Sequence, residues 1–182
     1  SVRLKADRPH PGVIVTARVR NAMGEYHTYN LGTLDTADWA VLSTSLRFGR
    51  GVQSSVSSRP LELVSLRVHE SRGAGRLQAG SILIDRIQVK GDLPGIRIIE
   101  DFDNAASWSV LKVASEAMSD VLRPSSLKFD GDDSRSVLFS WTEGSPLTAR
   151  GIFHGQGPSP LPILTSKSLA KAMGHNRGDE FE

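Results

Sequence analysis

Cysteine is absent from this chain of 182 residues. Disulfide cross-links, a thiol nucleophile and any Cys-ligated zinc or iron–sulfur site go with it, although the compartment stays open because many secreted domains lack Cys as well. Long apolar runs are missing too. Nothing approaches the ~20 residues needed to span a bilayer, and the N-terminal stretch carries Arg3, Lys5, Arg8, Arg18 and Arg20 without a signal-peptide core, so this piece is expected to be soluble. Aromatic rings are scarce at 6%, which leaves few candidates for stacking on a ligand. There is also no Walker loop, dinucleotide fingerprint, nucleophile elbow or His-Glu-x-x-His. His10, His27, His69, His154 and His175 show no metal-ligand spacing, and the serines fall in loops and caps. No nucleophile, base or paired-acid arrangement stands out, so the expectation is a non-enzyme with no cofactor and no committed metal site.

Charge is present but split. Residues 1–91 hold 13 Lys/Arg against 7 Asp/Glu, a net of +6, and residues 92–182 hold 9 against 13, a net of −4. Nucleic-acid binding would ask for a clustered basic patch interleaved with aromatics. Arg18, Arg20, Arg47, Arg67 and Arg86 are instead spaced singly along alternating segments, which reads as a solvated sheet face with no nucleic-acid partner.

Strand periodicity dominates the first half. Val13, Val15, Ala17 and Val19 alternate with Thr16, Arg18 and Arg20, and a turn at Asn21-Ala22-Met23-Gly24 leads to a polar strand around Tyr26–Asn30. Trp39–Phe48 places Ala40, Leu42, Leu46 and Phe48 on one face. Val64, Leu66 and Val68 oppose Ser65, Arg67 and His69, and in 81–89 Leu83, Ile87 and Val89 share a parity. Gly49-Arg50-Gly51, Ser54–Ser58 and Ser71–Gly75 are loops between them. With no convincing helix to serve as a parallel crossover, this half is predicted to be antiparallel all-β.

Gly91-Asp92-Leu93-Pro94-Gly95 is the best candidate joint, so 91–95 divides a sandwich body over 1–154. Beyond it, strands are predicted at Trp108–Val113, at Leu127 and Phe129, at Val137, Phe139 and Trp141, and at Arg150–His154. Ser115–Met118 offers a helical turn that Pro124 would stop, and Asp130-Gly131-Asp132-Asp133 reads as a hairpin turn. After the Gly/Pro-rich stretch 155–162, Thr165-Ser166 can cap a short helix carrying Leu169, Ala170 and Met173, closed by Gly174. Residues 155–182 thus read as a linker plus the start of something cut short, and the chain as a fragment of a larger protein.

Two sets of residues invite chemistry. Asp85 shares its parity with Leu83, Ile87 and Val89, so a core-facing carboxylate would need an arginine, backbone N–H groups or a bound cation. Pairing with the strand before Asp101 and Asp103 would gather oxygen ligands suited to calcium, with an arginine or loop backbone as the more economical partner. Trp39 and Tyr29 flank the loop Gly32–Asp38 and are the candidate ligand-binding rings, against core or rim packing as the alternative.

Leu31–Asp35, Asp38-Trp39, Leu61–Leu66 and Gly80–Val89 resemble the later half of a galactose-binding-like jelly roll, a fold shared by many carbohydrate-binding modules. Ile99-Glu100-Asp101-Phe102-Asp103 with Ser107-Trp108 resembles the opening strand of the same kind of module, so the order is permuted or a second module begins. Arg86 stands where a second acid is common, which argues against carrying over a calcium site. The tail, Leu161–Ser166, a helix, Gly174 and Gly178-Asp179-Glu180-Phe181, resembles the start of the extracytoplasmic domain in bacterial permeases of the FtsX/MacB-like type. These resemblances imply an antiparallel jelly-roll β-sandwich with a short helix near its C-terminus. They further imply a non-catalytic domain on the extracytoplasmic side of a cell membrane, partnered by the rest of a permease and its ATPase subunit, with a glycan or lipid as ligand. The alternative they leave is a carbohydrate-binding module of a secreted glycan-active enzyme.

Overall fold

The computed structural model describes residues 1–46, 61–71, 75–90, 95–103, 105–110, 119–127, 135–144 and 149–155. The fold over these residues is an antiparallel β-sandwich. Its strands are β1 (Val2–Ala6), β2 (His10–Arg20), β3 (Tyr26–Leu34), β4 (Trp39–Leu42), β5 (Glu62–Glu70), β6 (Gly80–Lys90), β7 (Ile96–Glu100), β8 (Trp108–Val110), β9 (Val121–Ser125), β10 (Ser136–Trp141) and β11 (Arg150–His154). One sheet runs β4-β1-β6-β10-β9, with β7 paired to the far end of β6, and the other runs β3-β2-β5-β11-β8. Among the described strands, only the connections β2–β3, β6–β7 and β9–β10 stay within a sheet; the rest cross between sheets, as in a jelly roll. Strands from beyond the 91–95 joint pair directly with strands from before it, β10 with β6 and β11 with β5, so β7–β11 belong to the same sandwich.

The core forms because alternating apolar residues of both sheets meet. Val2, Leu4, Ile82, Ile84, Val137 and Phe139 from one sheet face Val13, Val15, Leu66, Val68 and Ile152 from the other. Each fully buried aliphatic or Phe side chain contributes about 1.5–3 kcal/mol. The periodicity that predicts Val13, Val15, Ala17 and Val19 as the inward row of β2, and Val137, Phe139 and Trp141 as that of β10, matches their burial.

Two inward rows differ from the simple alternation, for one reason. Opposite β1, the register steps from Arg3↔Arg86 to Leu4↔Ile84, so Asp85 is the extra residue of a β-bulge. Ile82 and Ile84 therefore face the core before the bulge and Ile87 after it, while Leu83, expected beside Ile87, is buried on the opposite parity. In β5, Arg18↔Ser65 is followed by Val19↔Leu63, so Val64 is the bulged residue and Leu63 packs on the core in its place.

Other boundaries move as well. β4 ends at Leu42, leaving Leu46 outside a strand, and the strand predicted at Leu127 lies earlier, at Val121–Ser125. Pro124 sits in that strand, where the missing N–H is tolerated because, among the described residues, β9 is an edge that pairs with β10 alone. The expected helix over 165–174, the whole segment 156–182, the helical turn at 115–118, the turn at 130–133 and Phe48 lie outside the described residues. Among the described residues no helix is long and apolar enough to cross a membrane.

Candidate ligand-binding face

Asp85 has no exposed surface and forms a salt bridge with Arg3, whose Nε–H and Nη2–H groups both point to Oδ2. Of the partners its burial calls for, the structure supplies the arginine. The cause is the bulge: it aims Asp85 to the same side of the sheet as Arg3, the side opposite Leu4 and Ile84. β6 and β7 do pair antiparallel, Ile87 against Glu100. Asp101 and Asp103 then turn back on their own loop, where Asp101 accepts the Asp103 N–H at 3.2 Å and Asp103 lies 4.0 Å from Arg135. Among the described residues no three His, Asp or Glu side chains are grouped as a metal site.

Glu100 closes that same corner. Its carboxylate accepts the Phe102 N–H at 2.7 Å and the Trp108 indole N–H at 2.9 Å. These bonds hold Phe102 at a φ of 58°, a left-handed conformation costly for an aromatic residue, and the buried Phe102 ring packs against Trp108. Another buried pair lies at one end of the core: Asp120 accepts the backbone N–H and hydroxyl of Thr142, and its second oxygen is 3.8 Å from Nε of Arg150, a side chain 1% exposed. Arg150 also donates to the Glu143 carbonyl at 3.2 Å. The last cluster joins β1 to β2. The His10 Nε2–H group donates to Asp7 at 2.7 Å, and the His10 ring lies against Trp141, whose indole N–H donates to the Gln78 carbonyl. Partial burial raises the pKa of Asp7, but His10, the Ser81 N–H and the charge of Arg8 outweigh it and leave the carboxyl below its ordinary value. These acids hold the sandwich together.

The outer face of the second sheet is different. Cross-strand register lays out its rows: Asn30, Thr16, Arg67 and Gly151 in one, then Thr28, Arg18, Ser65 and Phe153, then Tyr26, Arg20 and Glu62. Arg18 and Arg67 are diagonal neighbours on adjacent strands, at a separation of roughly 7–8 Å between Cα atoms for such pairs. Arg18 lies over the Tyr26 ring at 4.4 Å to its centroid, and Arg67 donates from Nε to the Ser65 hydroxyl at 3.1 Å. Arg20 is neutralised by Glu62 at 2.6 Å, but among the described residues Arg18 and Arg67 face no carboxylate. Burial lowers the pKa of Arg67 first, and the positive charge of Arg18 lowers it further. Two half-buried guanidiniums thus share one face with the exposed Thr28 and Asn30, while Thr16 and Ser65 in the same rows are buried. Gly151 permits the close strand approach beside Arg67, since a methyl group there would lie 2.2 Å from the Leu66 carbonyl oxygen.

The two rings singled out by sequence lie elsewhere. Tyr29 pairs with Ala17 on the inward parity of β3 and is half-buried, with burial raising its phenol pKa. Trp39 pairs with Lys5 at the edge of the other sheet and shares its outer side with the exposed Val41. Register therefore puts them on different faces of different sheets. The Arg18/Arg67 pair escapes sequence reading because its members are 49 positions apart. The one available signal was that both sit on the polar parity of predicted strands.

Compared with known proteins, the chain matches no family model, no curated protein and no solved structure.

Proposed function

We propose that this chain is a non-catalytic binding module that holds a glycan on the outer face of its second sheet. The observation that carries this reading is the pair Arg18 and Arg67, two half-buried guanidiniums without a facing carboxylate among the described residues, set beside the exposed Thr28 and Asn30. A folded protein gains nothing from like charges side by side, whereas a ligand supplies the missing acceptors. The acids that would be sought for hydrolysis, Asp7, Asp85, Glu100 and Asp120, are engaged in holding strands and corners. The galactose-binding-like resemblance agrees with such a module but is a weak warrant by itself, since one sandwich fold hosts many functions.

Placement of the module on the extracytoplasmic side of an FtsX/MacB-like permease is the companion proposal. It rests on the resemblance of residues 161–182, and transmembrane spans in the flanking gene sequence would support it, whereas a glycosidase domain there would overturn it. The binding reading is tested on an array of neutral and acidic glycans with the wild-type chain and the Arg18→Gln/Arg67→Gln double variant. Retention of at least one glycan, lost in the folded double variant, is expected. No retained glycan, or retention unchanged in the variant, overturns it.

A further inference from the structure

Resting on that reading, we infer that the glycan is acidic and that a sugar carboxylate is bound between Arg18 and Arg67. The argument is geometric. A guanidinium offers a planar fork of N–H donors that matches a carboxylate, and two forks on adjacent strands surround one anion better than either alone. Arg67 is held in place by its bond to Ser65, and Arg18 by its position over Tyr26, so both are ordered before the ligand arrives. The Tyr26 ring, which would be the stacking platform for a neutral sugar, has Arg18 over one of its faces. Recognition on this face therefore runs through charge more than through stacking.

The surroundings favour a sugar over a nucleic acid. A nucleic-acid backbone presents a dense line of phosphates and is bound by many cations together. Here Arg20 on the same face is already paired with Glu62, which leaves the two guanidiniums of Arg18 and Arg67, enough to hold one carboxylate and too few to follow a run of phosphates. Thr16, opposite Arg67, and Ser65, opposite Arg18, are buried, and the exposed polar groups beside the pair on the neighbouring strand, Thr28 and Asn30, are uncharged. Such groups exchange hydrogen bonds with the hydroxyls of a pyranose.

Calorimetric titration with oligomers of galacturonate, of mannuronate and guluronate, and of glucuronate-containing hyaluronan tests this, with the methyl-esterified galacturonate oligomer and a thymidylate oligomer as controls. At least one uronate is expected to bind, more weakly as salt rises, with at least tenfold loss on esterification or in Arg18→Gln and Arg67→Gln. Arg67→Lys, which keeps the charge but loses the fork, is expected to fall between. Thermal melting of each variant shows that the sandwich is intact. Failure of all three uronates to bind, equal binding of the ester, or tighter binding of the thymidylate oligomer overturns the inference. Neutral glycans that bind and are lost in the arginine variants would leave the binding-module reading standing while removing this one; no bound glycan of any kind removes both.

Discussion

Arg3 and Asp85 form an ion pair across β1 and β6, and a bulge of one residue in β6 is what brings them to the same side of the sheet. Asp85 is fully buried, so removing Arg3 takes a positive partner from a charge held in a low-dielectric setting. Arg3→Ala is expected to cost about 3–5 kcal/mol, read from urea unfolding, and Arg3→Met is expected to cost no less. Asp85→Asn/Arg3→Met, which removes both charges, should recover much of the loss. Because the arginine already neutralises Asp85, the melting midpoint is expected to be the same with calcium and with chelator. A midpoint that rises with calcium would restore a cation to this position.

Asp120 and Arg150 pose the same problem inside the core. Asp120→Ala removes a carboxylate 3.8 Å from the buried Arg150 guanidinium and takes an acceptor from Thr142. A loss of about 3–5 kcal/mol is expected in denaturant unfolding, and the thymidylate and glycan arms described above should be unaffected in the fraction that stays folded.

Gly151→Ala is expected to be disruptive although the change is one methyl group. The new carbon would meet the Leu66 carbonyl at 2.2 Å and the Arg67 Cα at 2.9 Å, both backbone, so β11 must move away from β5. A cost of about 1–3 kcal/mol is typical of forced overpacking. A parallel loss of ligand affinity is expected, because the same shift displaces Arg67. A fully stable Gly151→Ala variant would show that the two strands are less tightly apposed.

The Asp7 contact makes an acid-sensitive contribution with a definite sign. Its carboxyl lies below the ordinary aspartate value of 3.8, so its contacts stabilise the fold above that pH, and the contribution is lost as pH falls through the lower folded value. Melting curves of the wild type and Asp7→Asn should therefore differ at pH 6, and the difference should shrink as pH falls below 3.8. A constant difference across that window would contradict the assignment.

Trp39→Ala and Tyr29→Ala separate the two views of the binding surface. Trp39 shares the outer side of the first sheet with Val41, and Tyr29 lies on the inward parity of β3. Trp39→Ala is expected to leave glycan affinity within twofold of wild type, as its ring is on the other sheet. Tyr29→Ala is expected to lower the melting midpoint by removing a half-buried ring, with affinity changed less than tenfold. Loss of binding in Trp39→Ala with Arg67→Gln unaffected would move the site to the β4 edge.

How far the residues alone lead differs from strand to strand. In β2 and β10, alternation of apolar and polar side chains is a local property of the pleat, and inward rows follow from it directly. The antiparallel all-β class follows too, from many such segments joined by loops without a crossover helix. In β6 and β5 the same rule places Leu83 and Val64 on the core, and the bulges at Asp85 and Val64 reverse this. A bulge is a mismatch between two paired strands, so neither strand's own sequence displays it.

The site follows the same division. Composition and alternation determined that this chain is a β-sandwich with arginines on its polar faces, because a two-residue period sorts side chains by face wherever a strand forms. Which arginines meet was decided by tertiary structure alone: β2 lies between β3 and β5, so Arg18 has Tyr26 on one side and Arg67 on the other. Absent cysteine excluded one chemistry at the outset. Strand pairing engaged the buried carboxylates in structure and set two guanidiniums side by side on one outer face, since register is set by contacts between residues far apart in the chain.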